Sequence, residues 1–506
     1  MRKEIGIIGG LLVFVLIALI PLDPVTFPYP AQLTAAVTGL MVVWWVTEAI
    51  PIYATALVPL VLFPLLGILS PPAAAASYGN ETVFLFMGGF FIAAAMVRWN
   101  LHRRIALSVI GLAGSGTKKL VLGFMVATAF LSMWISNTAS SMMMIPIALA
   151  LVSTLMPGVL TGKEGEQDGK RQFATCLLLA VCYAATIGGM ATLIGTPPNA
   201  ILVAQTSGIF PEAPGIDFFS WMTFAVPFMA LFLLIAWFWL TYVTNRNMPE
   251  VISGSRDMIG DELKKLGPLT TAEKWTLLAF LSVALLWIFR TPKVIGSLVI
   301  PGITTWVPGV TDATIAIGGA LILFMLPVDA KKGIFTLDWT SAKEIPWGVL
   351  ILFGGGICLS EGIIKSGLAE LIAHSFILLA VLPLVVIIFL MVIFITFLSE
   401  VVSNTAMASI MIPLMAITSV SMGINPMMLM VPAAMASSLG FMLPVGTPPN
   451  AIAFGTGCIS VKEMARAGFA LNIIGCILIT LFMTFVIPVA LGISPELPAW
   501  AVIPGV

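Results

Sequence analysis

Apolar runs separated by short polar stretches fill this 506-residue chain. Most are close to the ~20 residues that a helix needs to cross ~30 Å of hydrocarbon. The pattern predicts eleven crossings, over residues 5–20, 33–50, 52–69, 82–97, 173–205, 218–244, 275–289, 311–326, 347–364, 428–454 and 471–491. Pro51 divides the second from the third, and residues 70–81 read as a loop. Residues 98–116 are basic and partly amphipathic, and predict a helix lying on the membrane surface. Two more segments, 120–156 and 382–418, are too long for one crossing and carry polar residues near the middle. Each predicts a re-entrant hairpin, because irregular backbone at mid-membrane is tolerated only where it is buried in protein or lines a cavity. The crossings at 173–205 and 428–454 contain paired prolines, which withhold backbone donors and stop a helix, so both are read as discontinuous. Residues 158–172 read as a soluble loop, and 245–274, the most charged stretch, as a solvent loop or surface helix.

The polar tips of the two hairpins carry one triplet, Ser136-Asn137-Thr138 and Ser403-Asn404-Thr405, 267 residues apart. The same offset carries Leu85-Phe86-Met87-Gly88-Gly89 onto Leu352-Phe353-Gly354-Gly355-Gly356, Ser132 onto Ser399 and Pro146 onto Pro413. At the proline breaks, Gly195-Thr196-Pro197-Pro198-Asn199-Ala200 returns as Gly446-Thr447-Pro448-Pro449-Asn450-Ala451, at an offset of 251. A polar insert at 162–171, absent from the second half, absorbs the 16-residue difference. The chain reads as a duplication with one composite site.

Composition agrees with a membrane location: 59% of residues are hydrophobic and only 9% charged. The first apolar run follows Arg2-Lys3 and lacks a small-x-small cleavage pattern, so it is read as a retained span. With the N-terminus in the cytoplasm, 20 of the 23 lysines and arginines fall in cytoplasmic segments; Arg290, Lys293 and Lys365 do not. The positive-inside rule thus fits a cell-membrane protein whose first hairpin opens inward and second outward, an inverted repeat. The five cysteines lie in apolar runs without metal-ligand spacing, and the two histidines, His102 and His374, lie outside the repeated strings. No nucleophile–base pair or metal set suggests an enzyme, the hairpins give no continuous pore, and no nucleic-acid partner is expected.

The repeated strings carry the candidate chemistry. Ser, Asn and Thr at a hairpin tip supply neutral hydroxyl and amide groups, and Ser or Asn can cap the returning helix. Thr at an N-cap with Pro at the first helical position starts a half-helix whose positive dipole end attracts an anion. Carbonyls released before the prolines are oxygen ligands for a hard monovalent cation. Two facing halves would make two cation sites beside one anion site. Glu400 has no acidic counterpart, since the offset places Met133 there; it is a cation or proton ligand or, as preferred here, binds a partner residue outside the site. Glu48 reads as an interfacial acid beside an aromatic belt.

With the string Trp44-Trp45-Val46-Thr47-Glu48-Ala49-Ile50-Pro51, the paired triplets and paired Gly-Thr-Pro-Pro-Asn motifs resemble the divalent anion/sodium symporters over nearly the whole chain. The resemblance implies an all-α polytopic homodimer working by an elevator movement. It implies sodium-coupled import of C4-dicarboxylates such as succinate, malate or fumarate, with at least two sodium ions. One sodium site would comprise Ser132, Ser136, Asn137 and Gly195, and the other Ser399, Ser403, Asn404 and Gly446. Substrate carboxylates would meet Asn137, Thr138, Asn404 and Thr405, beside Thr196, Pro197, Thr447 and Pro448. Scaffold parts would be 1–116 and 218–375, each with an interfacial helix; transport parts would be 117–217 and 376–470, with a final helix in 471–506. A sodium-independent dicarboxylate exchanger on the same fold is the alternative. A cationic residue in place of a sodium ligand would favour it, and neither string contains one.

Overall fold

A computed structural model describes residues 2–23, 27–156, 168–252, 254–295, 298–371 and 382–501. The chain is almost entirely helical; the described strands form two small antiparallel pairs, Lys293–Ile295 with Leu298–Ile300 and Pro327–Asp329 with Ile334–Phe335. Nine described helical segments are long and apolar enough to span a membrane, and four shorter apolar ones accompany them. Leucine, isoleucine and phenylalanine side chains, among them Leu234, Phe238, Leu285 and Phe394, cover the outer surface. In water that surface would aggregate; against lipid it is the solvent-matched face.

The repeat is visible in the helix boundaries. Thr117–Ser132 and Asn137–Leu155 form the arms of the first hairpin, and Leu384–Ser399 and Asn404–Ser421 those of the second. The break in the first half lies between Asp168–Gly189 and Pro197–Ile209, and in the second between Met427–Ser437 and Pro448–Gly455. The inner arms of the broken helices form the centre: Met427–Ser437 is buried throughout, and the Gly169–Gly189 span is 94% buried. Each outer arm then packs across the repeat, Pro197–Ile209 on Asn404–Ser421 and Pro448–Gly455 on Asn137–Leu155.

Several boundaries differ from the expectation. Residues 52–69 are not one span but two short helices, Ile52–Thr55 and Val58–Leu65, because Pro59 cannot donate the next helical hydrogen bond. The loop expected at 70–81 contains a helix, Pro71–Tyr78, capped by Ser70, whose Oγ accepts from Ala73 N at 3.4 Å. The last long helix, Val461–Phe485, starts ten residues early at a Ser460–Glu463 capping box. Helix also reaches back into the 158–172 loop as far as Asp168; residues 157–167 lie outside the described part, as does His374. Trp45 is no belt residue, for it is wholly buried and donates to Ile52 O at 3.1 Å. Beside it Glu48 ends the helix in a left-handed turn, φ 49°.

The expected surface helix is present as Leu101–Gly111, and it packs on a second one, Ser255–Lys265, from the charged 245–274 stretch. Arg103 pairs with Glu262 at 2.8 Å and Arg104 with Glu273 at 2.6 Å, the latter pair well buried. His102 is buried, its Nδ1 3.0 Å from Met96 O, and loss of solvent lowers its pKa from the usual histidine value.

Candidate functional site

Each hairpin turns in four residues, 133–136 and 400–403. Ser136 and Ser403 occupy the N-cap positions of the returning helices, with Asn137 and Asn404 first inside and Thr138 and Thr405 second. Only Ser136 makes the side-chain cap, accepting from Ala139 N at 3.3 Å. Trp134, in the first bend, stacks on Phe218 and meets Phe280 edge-on at 4.7 Å.

In the first half Ser132, Asn137 and Gly195 come together. Ser132 Oγ donates to Ala185 O at 2.7 Å. One end of the Asn137 amide lies 2.6 Å from Ser132 Oγ, 3.1 Å from Ala185 O and 3.3 Å from Gly195 O. With nitrogen at that end, the amide has two protons to share among these three acceptors. With oxygen there, oxygen atoms crowd together with one hydroxyl proton among them, which is the donor set of a hard cation. Glycine makes the approach possible: a Cβ on Gly188 would overlap the Ala129 backbone, and one on Gly189 the Asn137 amide. At Gly195 it would stand 2.9 Å from Ser132 O.

In the second half Ser399 Oγ lies 2.7 Å from Leu439 O and 2.8 Å from Thr396 O. Asn404 Oδ1 is buried without a hydrogen-bond partner. A Cβ on Gly440 would sit 3.7 Å from that atom and 3.8 Å from Gly446 O, so the two oxygens face one small space. An orphaned buried carbonyl oxygen costs about 1–3 kcal/mol unless something binds it. Ser136 is exposed and engaged in its cap, and Ser403 is half-buried, whereas Ser132 and Ser399 are fully buried.

At the breaks, Thr196 and Thr447 precede Pro197-Pro198 and Pro448-Pro449 in extended conformation and are buried. Thr447 Oγ accepts from Asn450 N at 3.4 Å; Thr196 makes no such cap. The prolines leave these helix starts without the first two N–H donors, so their pull on an anion is through the dipole. The asparagine of each string has a role the sequence reading passed over. Asn199 Nδ2 donates to Gly189 O and Thr192 O at 3.3 and 2.8 Å; Asn450 Nδ2 donates to Gly440 O and Leu443 O at 2.9 and 3.0 Å. The targets sit ten and seven residues upstream in both halves, so these amides latch each break shut. Some carbonyls at each break are therefore already bound; Gly195 O and Gly446 O are not among the asparagines' targets. Tyr183 supports the second break through Phe441 O at 2.8 Å, and Trp221 the first through Met190 O at 3.1 Å. Nothing in the repeat distinguishes these two aromatics from ordinary core residues; the asparagines lie within the repeated string itself.

A cavity of about 360 Å³ lies away from the strings, among Glu81, Thr206, Asp217, Arg290 and Asp312. Arg290 pairs there with Asp217 at 3.3 Å and Asp312 at 2.5 Å.

Residues 3–491 match the family model described as the sodium:sulfate symporter transmembrane region. The sodium-dependent dicarboxylate transporter SdcS of Staphylococcus saprophyticus is 42% identical over 495 residues, 98% of this chain and 93% of the relative. The SdcS of Staphylococcus aureus is 44% identical over 497 residues, with the same coverage. Among solved structures, the YdaH transporter of Alcanivorax borkumensis aligns with a TM-score of 0.57 at 16% identity, over 91% of this chain and 99% of its own. MtrF of Neisseria gonorrhoeae, from a class of antimetabolite efflux pumps, aligns at 0.53 and 14%, over 86% and 87%. These two likenesses speak to the fold alone. The family match over nearly the full length makes this chain a member of the sodium:sulfate symporter family.

Proposed function

We propose that the protein is a sodium-coupled symporter importing C4-dicarboxylates such as succinate, malate or fumarate. The observation that carries this is the pair of neutral polar clusters beside the breaks, the Asn137 amide with Ser132 Oγ and Gly195 O in one half and Asn404 Oδ1 facing Gly446 O in the other, with no positively charged side chain at either. Each cluster holds one sodium ion, with Ser136 and Ser403 adding oxygen when the ion is bound. Between them the substrate carboxylates meet the first turns of the returning helices through Asn137, Thr138, Asn404 and Thr405. Thr196, Pro197, Thr447 and Pro448 line the two break starts, whose dipoles favour the anion. The curated SdcS relatives are named for sodium-dependent dicarboxylate transport, which supports this choice within the family.

Energetics requires coupling. Bringing a dianion in against ~100 mV, negative inside, costs about 4.6 kcal/mol at roughly 2.3 per charge. Two sodium ions cancel that charge, and a third makes uptake electrogenic. The moving body comprises the hairpins and broken helices, 117–217 and 376–470, riding on the scaffold of 1–116 and 218–375 within a homodimer whose N-termini are cytoplasmic. The cavity at Arg290 lies between the end of Pro197–Ile209 and the starts of Glu81–Arg98 and Asp312–Met325, where an elevator movement would open an outer vestibule.

Labelled succinate uptake into proteoliposomes, with and without an inward sodium gradient, tests this reading. Accumulation above equilibrium that needs external sodium is expected. Uptake that ignores sodium but requires dicarboxylate loaded inside would instead mean an exchanger.

A further inference from the structure

The two half-sites differ at one pair of equivalent contacts. Met133 and Glu400 are equivalent by the hairpin offset, and Thr192 and Leu443 by the break offset. In the first half the tie between bend and break is made from the break: the Thr192 hydroxyl donates to Met133 O and accepts from Gly195 N at 3.1 Å. In the second half it is made from the hairpin. Glu400 Oε1 accepts from Phe441 N and Met442 N at 2.8 and 2.9 Å, and Oε2 from Leu443 N at 3.1 Å. Asn472, on the Val461–Phe485 helix, adds a donor to Oε1 at 2.6 Å. The polar partner has changed sides of the same junction.

The backbone explains why a hydroxyl suffices in one half and a carboxylate is needed in the other. Met190 N and Ala191 N find turn partners in Ile187 O and Gly188 O. The equivalent groups, with Leu443 N, converge on Glu400. Buried N–H groups must be paired, and one carboxylate has about four acceptor positions, the number used here. Glu400 is 3% exposed and makes no ion pair among the described residues. The hold passes directly into the half-site, because Leu443 O accepts from Gly446 N at 3.1 Å and from the Asn450 latch at 3.0 Å. Gly446 is so close that a Cβ there would lie 2.8 Å from Oε2.

We propose that Glu400 is the positioning residue of the second half-site, holding residues 441–443 so that Gly446 O and Asn404 Oδ1 face a common point, and that it is neither a cation ligand nor a proton carrier. The inference rests on the sodium-coupled reading for its transport consequence, but not for its structural one. Glu400→Gln keeps one acceptor oxygen but sets its NH2 group against at least one of the three backbone N–H donors, and so weakens the hold. Two readouts are needed: sodium-dependent succinate uptake with charge per substrate, and amide exchange by mass spectrometry over 438–447 and 187–197.

The variant is expected to raise half-saturating sodium about tenfold, the scale for removing support behind a metal ligand. Its maximal rate and charge per succinate should stay at the parent values, and amides at 441–443 should exchange faster while 187–197 does not change. Unchanged half-saturation with intact parental coupling, the loss of one charge per succinate, or unchanged exchange at 441–443 would each overturn the proposal. If the parent protein shows no sodium dependence, the functional reading falls and amide exchange alone decides the role of Glu400. Asn472→Ala keeps the carboxylate and removes one donor, so it should shift both readouts less and in the same direction. It decides the matter should Glu400→Gln not fold, unchanged exchange again being the contrary result.

Discussion

Asn137 and Asn404 stand at the same position in two helices and meet different surroundings. The Asn137 amide is within hydrogen-bonding range of Ser132, Ala185 and Gly195, whereas Asn404 Oδ1 has no partner. If both are ion and substrate ligands, Asn137→Ala or Asn404→Ala abolishes succinate uptake while size-exclusion profile and thermal unfolding stay close to the parent. Normal uptake by either variant would sink the site assignment. The latch residues behave in the opposite way. Asn199→Ala or Asn450→Ala leaves buried carbonyls unpaired, and should cost about 1–3 kcal/mol of stability even without sodium, read as a lower unfolding temperature in sodium-free detergent. The asparagines were present in the repeated string but carried no sign of that task, because an amide's partner depends on how the chain folds back after the prolines. Glu400 was legible as an asymmetry, and its partners were not, since three are backbone groups.

At the level of helices, hairpins and breaks were readable because polar residues at mid-membrane depth and paired prolines are costly in lipid without a structural reason. The Pro71–Tyr78 helix and the early start of Val461–Phe485 were missed for a common cause: both begin in polar caps that hydropathy counts as loop. Glycine spacing at the first hairpin makes a further claim at this scale. Gly188→Val would drive a side chain into the Ala129 backbone, so it should part the hairpin from the broken helix. Overpacking of that kind costs about 1–3 kcal/mol, and sodium-dependent uptake should fall about tenfold or more. Gly318→Ala, which adds its methyl group to open space, should leave uptake unchanged and serves as the control. The two surface helices depend on a buried pair instead. Arg104→Ala leaves Glu273, with its side chain 4% exposed, without its cation, at a cost of about 3 kcal/mol or more; proteolysis within 245–274 should accelerate.

Over the whole molecule, duplication explains how neutral residues can build a site for charged cargo. On the proposed assignment each half supplies one ion site from its own hairpin and break, and each outer arm packs on the other half's hairpin. Loss of one cluster should therefore affect handling of the substrate at both. The most direct test is the initial rate of succinate uptake against external sodium at fixed membrane potential. Two coupled half-sites predict a sigmoidal curve with a Hill coefficient above one. A hyperbolic curve, or a rate independent of sodium, would contradict one sodium ion in each half.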